Sequence, residues 1–240
     1  MEERLQKVIA RLYGISRRHA EELIAEGNVL VNGIKACLGT KIDCGRDCII
    51  IGNQKISSNT LQRNFKQEVW MLFKPQGVVC THDNPISNNT LEPYVPAPLR
   101  RQKWLFVGRL DKDSEGLLLL TNDGDFANRV AHPSANIEKV YRVHLDQPFN
   151  LAHANALKQG RSCQGEWLHF HSIRVVNSRK IDVVLHQGKR REIRRLLLSF
   201  GYQVLRLKRW KIGSLILDKR LAPGQSRRLT PQELRLIFER

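Results

Sequence analysis

Between Gly108 and Gly124 the chain reads GRLDKDSEGLLLLTNDG, with three carboxylates, Asp111, Asp113 and Glu115, at alternate positions. Together with Gly116 they occupy positions one, three, five and six of a calcium-binding loop of the EF-hand type. Such a loop also needs a bidentate carboxylate at its twelfth position and a helix on each side. The twelfth residue from Asp111 is Asn122, and the stretch runs into four leucines instead of a polar helix, which sets calcium aside. Two readings remain: a turn in which Asp111 binds local N–H groups, or a catalytic carboxylate mounted beside an apolar run. An ionised carboxylate in that position can attack as a nucleophile, abstract a proton or stabilise developing charge.

A chain of 240 residues has room for one large domain or two modest ones. Its 40 Lys and Arg against 23 Asp and Glu give a net charge of +17. Such an excess repels itself on folding and points to a polyanionic partner. The excess is uneven: residues 1–60 hold nine basic and seven acidic residues, whereas residues 179–240 hold seventeen and five. No run of about 18 apolar residues is present, and the basic segments have no long amphipathic Trp/Leu face, so nucleic acid is expected and a membrane is not. The N-terminus MEERLQKVIARLYG has no secretory character. The five cysteines are odd in number; Cys37, Cys44 and Cys48 are followed by no His at ligand spacing, so no metal site is expected. Reduced thiols in the cytoplasm are the expectation.

The elements that must position these residues follow from pattern. Leu5, Val8, Ile9 and Leu12 have helical spacing and Gly14 ends the run. Ser16 can cap a second helix, with Ala20, Leu23 and Ile24 on one face and Gly27 at its close. NVLVNG predicts a strand entering an Asn32-Gly33 turn, and CIIIGNQ another strand, which completes a unit of two helices on a small sheet. Residues 53–66 are polar and predict a linker. VWMLFKP, WLFVGR, LLLLTND, KVYRVHL and IDVVLH predict strands; DFANRVAH, GKRREIRRLLLSFG and TPQELRLIFER predict helices, the last with Thr230 as cap and Pro231 in its first turn. Residues 82–103 carry four prolines and predict loop, with LEPYV as a short helix. The lack of regular alternation predicts a mixed, mainly antiparallel sheet and an α+β class.

Residues 1–60 resemble the S4 RNA-binding domain through Arg4-Leu5, Lys7, Ile9-Ala10, Ser16-Arg17-Arg18, Ala20-Glu21, Leu23-Ile24, Gly27 and Val31-Asn32-Gly33. His19 departs from the Glu that the family often has there. Arg17 and Arg18 at a helix start suit phosphate, and Lys35 and Lys41 follow the turn.

Over essentially its whole length the chain resembles the RsuA-like family of ribosomal RNA pseudouridine synthases that carry an S4 domain. Lys74-Pro75-Gln76-Gly77, Gly108-Arg109-Leu110-Asp111, Glu138-Lys139-Val140-Tyr141-Arg142-Val143, and Gln187-Gly188-Lys189 with Arg191-Glu192-Ile193-Arg194-Arg195 match four ordered motifs. The resemblance implies Asp111 as catalytic aspartate, Tyr141 as the base-stacking tyrosine and Arg194 as the arginine that pairs with the aspartate. It further implies isomerisation of uridine to pseudouridine without a cofactor. Phe73, where Asn often precedes the Lys-Pro pair, and Glu192, where Gln is common, are departures.

The expectation is therefore a two-domain enzyme, residues 1–60 an S4 domain with linker and residues 61–240 a pseudouridine synthase domain. Asp111, Tyr141 and Arg194 are its expected catalytic residues, and Arg17, Arg18, Lys35, Lys41, Lys74, Arg109, Arg191 and Arg195 its expected RNA contacts. Ribosomal RNA or an assembling ribosomal subunit is the expected partner of a monomer, and GVVC and ANRVAHPS resemble the large-subunit branch of the family, which implies large-subunit RNA. The competing expectation is a non-catalytic S4-domain RNA-binding protein acting in ribosome assembly, for which loss of Asp111, Tyr141 or Arg194 would speak.

Overall fold

The computed structural model describes residues 2–56, 67–81, 89–100 and 103–239. The chain divides into two compact units, Met1–Lys66 with Arg101–Lys103, and Gln67–Arg100 with Trp104–Arg240.

In the first unit a short strand β1 (Glu2–Arg4) leads into α1 (Leu5–Tyr13), which ends on Gly14 in the left-handed region at φ 65°. Helix α2 (Arg17–Ala25) starts where the Ser16 hydroxyl accepts the His19 N–H, as its sequence predicts. Strands β2 (Val29–Val31) and β3 (Ile34–Lys35) form a hairpin through Asn32 and Gly33, both at positive φ, the signature of a tight turn matched to strand twist. A four-stranded sheet β3-β2-β5-β6 is completed by β5 (Ile49–Ile51) and β6 (Gln54–Ile56), while β4 (Lys41–Asp43) pairs with β1. The linker expected over 53–66 is thus corrected at its start. Gly52 turns the chain back so that Gln54–Ile56 pair with β5 and Ile56 enters the core with Leu5, Ile9, Ile24 and Ile49. Residues 57–66 lie outside the described residues.

The second unit is built on a nine-stranded sheet containing β7 (Val69–Lys74), β8 (Leu105–Val107), β9 (Glu115–Thr121), β10 (Lys139–Leu145), β13 (Ser172–Asn177), β14 (Lys180–Leu185), β15 (Val204–Ile212), β16 (Leu215–Ile216) and β17 (Ser226–Arg228). Its order is β13-β14-β10-β15-β9-β7-β17, with β16 on β15 and β8 on β9. A small hairpin, β11 (Arg161–Cys163) and β12 (Glu166–Leu168), stands apart from it. All pairings among the described strands of the large sheet are antiparallel except β9 with β15.

The four leucines of the opening stretch now have a physical reason. Leu118 and Leu120 join one core with Leu72, Tyr141 and Val183, whereas Leu117 and Leu119 join a second core on the opposite face with Met71, Phe73 and Phe126. A strand covered on both faces has no polar alternation. The first face carries α3 (Ala97–Arg100), α5 (His153–Gln159) and α6 (Glu192–Leu198) through Leu99, Leu157 and Ile193. The second face carries α4 (Gly124–Ala131) and α7 (Pro231–Leu236). Residues 92–94 of the proline-rich segment form the short helix expected there, in a 3-10 turn, and residues 82–88 and 101–102 are outside the described residues.

Helix α6 starts at Glu192, four residues later than its sequence pattern predicts. The Glu192 carboxylate accepts the Lys189 N–H at 3.0 Å and closes a turn ahead of the helix, which leaves Arg191 in the left-handed region at φ 51°. Strand β15 and the segment 153–177 had no sequence assignment. In β15 the interleaved cations of VLRLKRWKI hide the alternation that would reveal a strand.

Gly116 marks where β9 meets β15. Its φ is 109°, and a Cβ there would lie 2.2 Å from the Arg209 carbonyl oxygen. Neither strand can withdraw without opening the sheet. Gly116→Ala is therefore expected to cost more than about 3 kcal/mol, measured by urea unfolding; a loss within the range of an ordinary surface substitution would show that the approach is looser.

Candidate active site

The stretch from Gly108 to Ser114 is a loop between β8 and β9, pinned at several points. The Leu110 N–H meets the Cys80 sulfur at 3.5 Å, Gly77 donates its N–H to the Lys112 carbonyl at 2.7 Å, and Ser114 closes a turn onto the Asp111 carbonyl at 3.0 Å. Lys74, at the end of β7, is wholly buried and donates from Nζ to the carbonyls of Ser114, at 2.7 Å, and Pro75, at 3.0 Å. This corrects the expectation that Lys74 contacts RNA: its ammonium is spent on backbone that would otherwise be left without partners. Burial lowers its pKa to about 8, against the favourable fields of Asp111 and Asp113.

Asp111 is half-buried on this loop. Burial pushes its carboxyl above the ordinary carboxylate value and Asp113 adds to this, while Arg191, Arg194 and Arg109 pull it down. The resemblance implies that Arg194 pairs with Asp111, but the carboxylate it reaches is that of Asp113, Nε to Oδ2 at 3.2 Å, with Nη2 donating to the Asp113 carbonyl at 3.0 Å. Arg191 grips Asp113 through two parallel bonds of 3.0 and 2.9 Å. Burial works to raise the Asp113 pKa, but the Arg191 hydrogen bonds and the Arg194 charge outweigh it, and Asp113 stays ionised below the usual range. Asp113 thus gathers two arginines next to Asp111. As for calcium, Glu115 is turned away to Arg206 at 2.6 Å, so the alternate carboxylates do not converge.

Tyr141 lies on β10, directly across from Arg209 of β15 and Val183 of β14, and is 7% exposed. Arg209, which sequence reasoning missed, is 2% exposed. It donates from Nε to the Leu117 carbonyl at 2.8 Å, reaches the Tyr141 hydroxyl with Nη1 at 3.5 Å, and leaves a buried Nη2 without a hydrogen-bond partner among the described residues. The charges of Asp111, Asp113 and Arg209 all act on Lys74, and of these Arg209 is the one that reaches the Tyr141 hydroxyl.

The other expected RNA contacts fall into two groups. Arg17, Arg18, Lys35 and Lys41 are exposed on the first unit, Lys41 with Glu2 at 3.9 Å, and Arg109 is exposed on the loop of the second. Arg191 and Arg195 are engaged within the fold. Arg195 pairs with Glu166 and the Cys163 carbonyl, and only 15% of its side chain is exposed, so it is corrected from an RNA contact to a clasp between α6 and the β11–β12 hairpin. Lys189 is likewise tied to the Trp167 carbonyl at 2.8 Å. Glu192 is buried, and burial pushes its carboxyl upward while the Lys189 N–H it accepts pulls it down.

The model of the RNA pseudouridylate synthase family matches residues 68–199, and that of the S4 domain residues 3–43. The chain belongs to the RNA pseudouridylate synthase family. The synthase is 36% identical over 228 residues to ribosomal large subunit pseudouridine synthase B of Vibrio cholerae, covering 93% of this chain and 70% of that one. Its namesake from Pseudomonas aeruginosa is 36% identical over 242 residues, 99% of this chain and 62% of the relative. A crystal structure of a pseudouridylate synthase superposes with a TM-score of 0.70 at 30% identity, covering 98% of this chain and 99% of the other. No helix among the described residues is long and apolar enough to cross a membrane.

If Arg17 and Arg18 each touch a phosphate, Arg17→Ala and Arg18→Ala should each lower the salt slope of RNA binding by about one. Arg195→Ala should leave the slope unchanged, because that guanidinium is already bound. A slope lowered by Arg195→Ala and unmoved by the other two would reverse the assignment.

Proposed function

We propose that this synthase converts a uridine of large-subunit ribosomal RNA to pseudouridine, with Asp111 as the catalytic carboxylate. The reading is carried by one observation: Asp111 is a half-buried carboxylate on a loop held by Lys74, with three arginines in its field and no ion-pair partner of its own among the described residues. A carboxylate left unpaired in a cationic site is available to substrate. Ribosomal RNA as substrate is supported by the names of the Vibrio and Pseudomonas relatives and by the S4 domain.

In the reaction the C1′–N1 bond of uridine breaks, the uracil turns, and a C1′–C5 bond forms. C5 then loses its proton and N1 gains one, so atoms balance without a cofactor. Asp111 acts at the sugar as nucleophile, base or anionic stabiliser. Tyr141 stacks on the extruded base, its hydroxyl steadied by Arg209. Arg194 and Arg191, oriented by Asp113, supply the positive field that keeps Asp111 ionised against burial. Arg109, with the exposed cations of the first unit, takes the RNA backbone. We place this activity in the cytoplasm, as a monomer, in keeping with five free thiols.

Asp111→Asn is expected to abolish pseudouridine formation, a fall of about four orders of magnitude or more, with RNA affinity and melting temperature nearly unchanged. Asp113→Asn should cause an intermediate loss together with a lower melting temperature, because it frees two arginines. Retained activity in Asp111→Asn would refute the assignment. Pseudouridine mapping of ribosomal RNA from cells with and without the gene tests the substrate: one large-subunit position should be lost, and a loss confined to other RNA would overturn that part.

Burial raises the Asp111 pKa, so kcat/KM should fall on the acid side with an apparent pKa above the ordinary 3.8. In Arg191→Ala, removal of the strongest neighbouring positive charge should move that limb to higher pH. An acid limb at or below 3.8 in the native enzyme would show that Asp111 is not the titrating group.

A further inference from the structure

At one end of the large sheet three strand termini meet. Glu138 precedes β10, His171 precedes β13 and His186 follows β14. Because β14 runs antiparallel to both neighbours, these three positions fall at the same edge. Their ligating atoms all lie within 4.8 Å of one another. The His171 and His186 rings stand edge to face with centroids 4.2 Å apart. A tetrahedral zinc ion with bonds of about 2.0–2.2 Å would set such atoms about 3.4 Å apart, within reach of small side-chain rotations.

The second observation concerns the state of His186. Its Nδ1 is in hydrogen-bond contact with the Asn136 side-chain oxygen, an acceptor, so Nδ1 carries the proton and Nε2 the lone pair. That Nε2 is buried and has no hydrogen-bond partner among the described residues. An outer acceptor that fixes the ring and leaves the other nitrogen as a bare donor is how proteins prepare a histidine for a metal. Beside it lies a cavity of about 280 Å³, also lined by His169, Gln187 and Glu192, with room for a fourth ligand. The nearby Lys139 ammonium is directed at the carbonyls of Ile137 and His186, not at the ligand atoms.

We infer that Glu138, His171 and His186 form a binding site for a divalent transition metal of the zinc class. Two imidazoles and one carboxylate suit zinc better than calcium or magnesium, which favour oxygen ligands alone. The ion clips together the ends of β10, β13 and β14 and steadies the segment from Gln187 to Arg191, which delivers Arg191 to Asp113. None of its three ligands belongs to the carboxylate loop, and it does not depend on the proposed reaction.

The test uses the full chain, stripped with a chelator and titrated with zinc by calorimetry, then with cobalt by visible absorption. The native protein should bind about one equivalent of zinc, melt at higher temperature when loaded, and give a tetrahedral cobalt spectrum without a cobalt–thiolate band. His171 is exposed, so His171→Ala should fold normally and lose both the binding and the melting shift. Asn136→Ala, which touches no metal, should weaken binding by about ten- to a hundredfold, an effect that a merely structural asparagine would not produce. The inference is overturned if the native protein binds no zinc at micromolar concentration, if folded His171→Ala binds like the native protein, or if the cobalt spectrum reports thiolate ligands.

Discussion

The parallel contact of β9 with β15 holds this fold together, and it is made by only two residue pairs, Glu115 with Lys208 and Gly116 with Arg209. On one side of it lie the antiparallel strands β13, β14, β10 and β15, and on the other β9, β7 and β17. The junction needs a residue without a side chain, because any Cβ at position 116 would overlap the facing backbone. One half of the sheet ends in the Asp111 loop and the other carries Tyr141, so the junction sets the distance between carboxylate and tyrosine. The opening motif therefore contains a packing constraint and a chemical one within six residues, Asp111 to Gly116.

Charge in the second unit is handled in two ways. Some cations are buried and used as internal hydrogen-bond donors: Lys74 under the Asp111 loop, Arg209 beneath Leu117, and Lys139 at the sheet end. Others are neutralised across the fold, Arg206 by Glu115, Arg195 by Glu166, and Arg227 by Asp218 and Glu233. The seventeen basic residues of the last quarter are thus partly structural, and their number overstates what is offered to RNA. Asp218, between Arg220 and Arg227, is held far below the usual carboxylate range by its hydrogen bonds to Arg220. Its partner Arg220 is exposed, so that pair contributes chiefly local order. Arg191 and Arg194, whose charges act on Asp111, are directed by Asp113, so one carboxylate sets the field around the other.

Short-range physics was legible in the chain. Helical spacing and Gly14 bound α1, Ser16 caps α2, Asn32-Gly33 makes a hairpin, and Thr230 with Glu233 forms a capping box ahead of α7. Each depends on residues a few positions apart. The family motifs were legible for the same reason, as short strings of residue types, and they made Asp111, Tyr141 and Arg194 candidates before any geometry was known. Strand β15 and the segment 153–177 were not legible, because alternating cations and short exposed strands carry no clear period.

Which charged group meets which was decided only by the tertiary structure. Lys74 reads as an RNA contact until it is found beneath a loop 40 residues away, and Arg191 finds Asp113 across 78 residues. Arg209 owes its burial to the strand opposite, and Glu138, His171 and His186 become neighbours because three antiparallel strands end at one edge. A side chain's type and local period set what it can do. Its burial, partner and protonation are set by contacts that exist only once distant strands have paired.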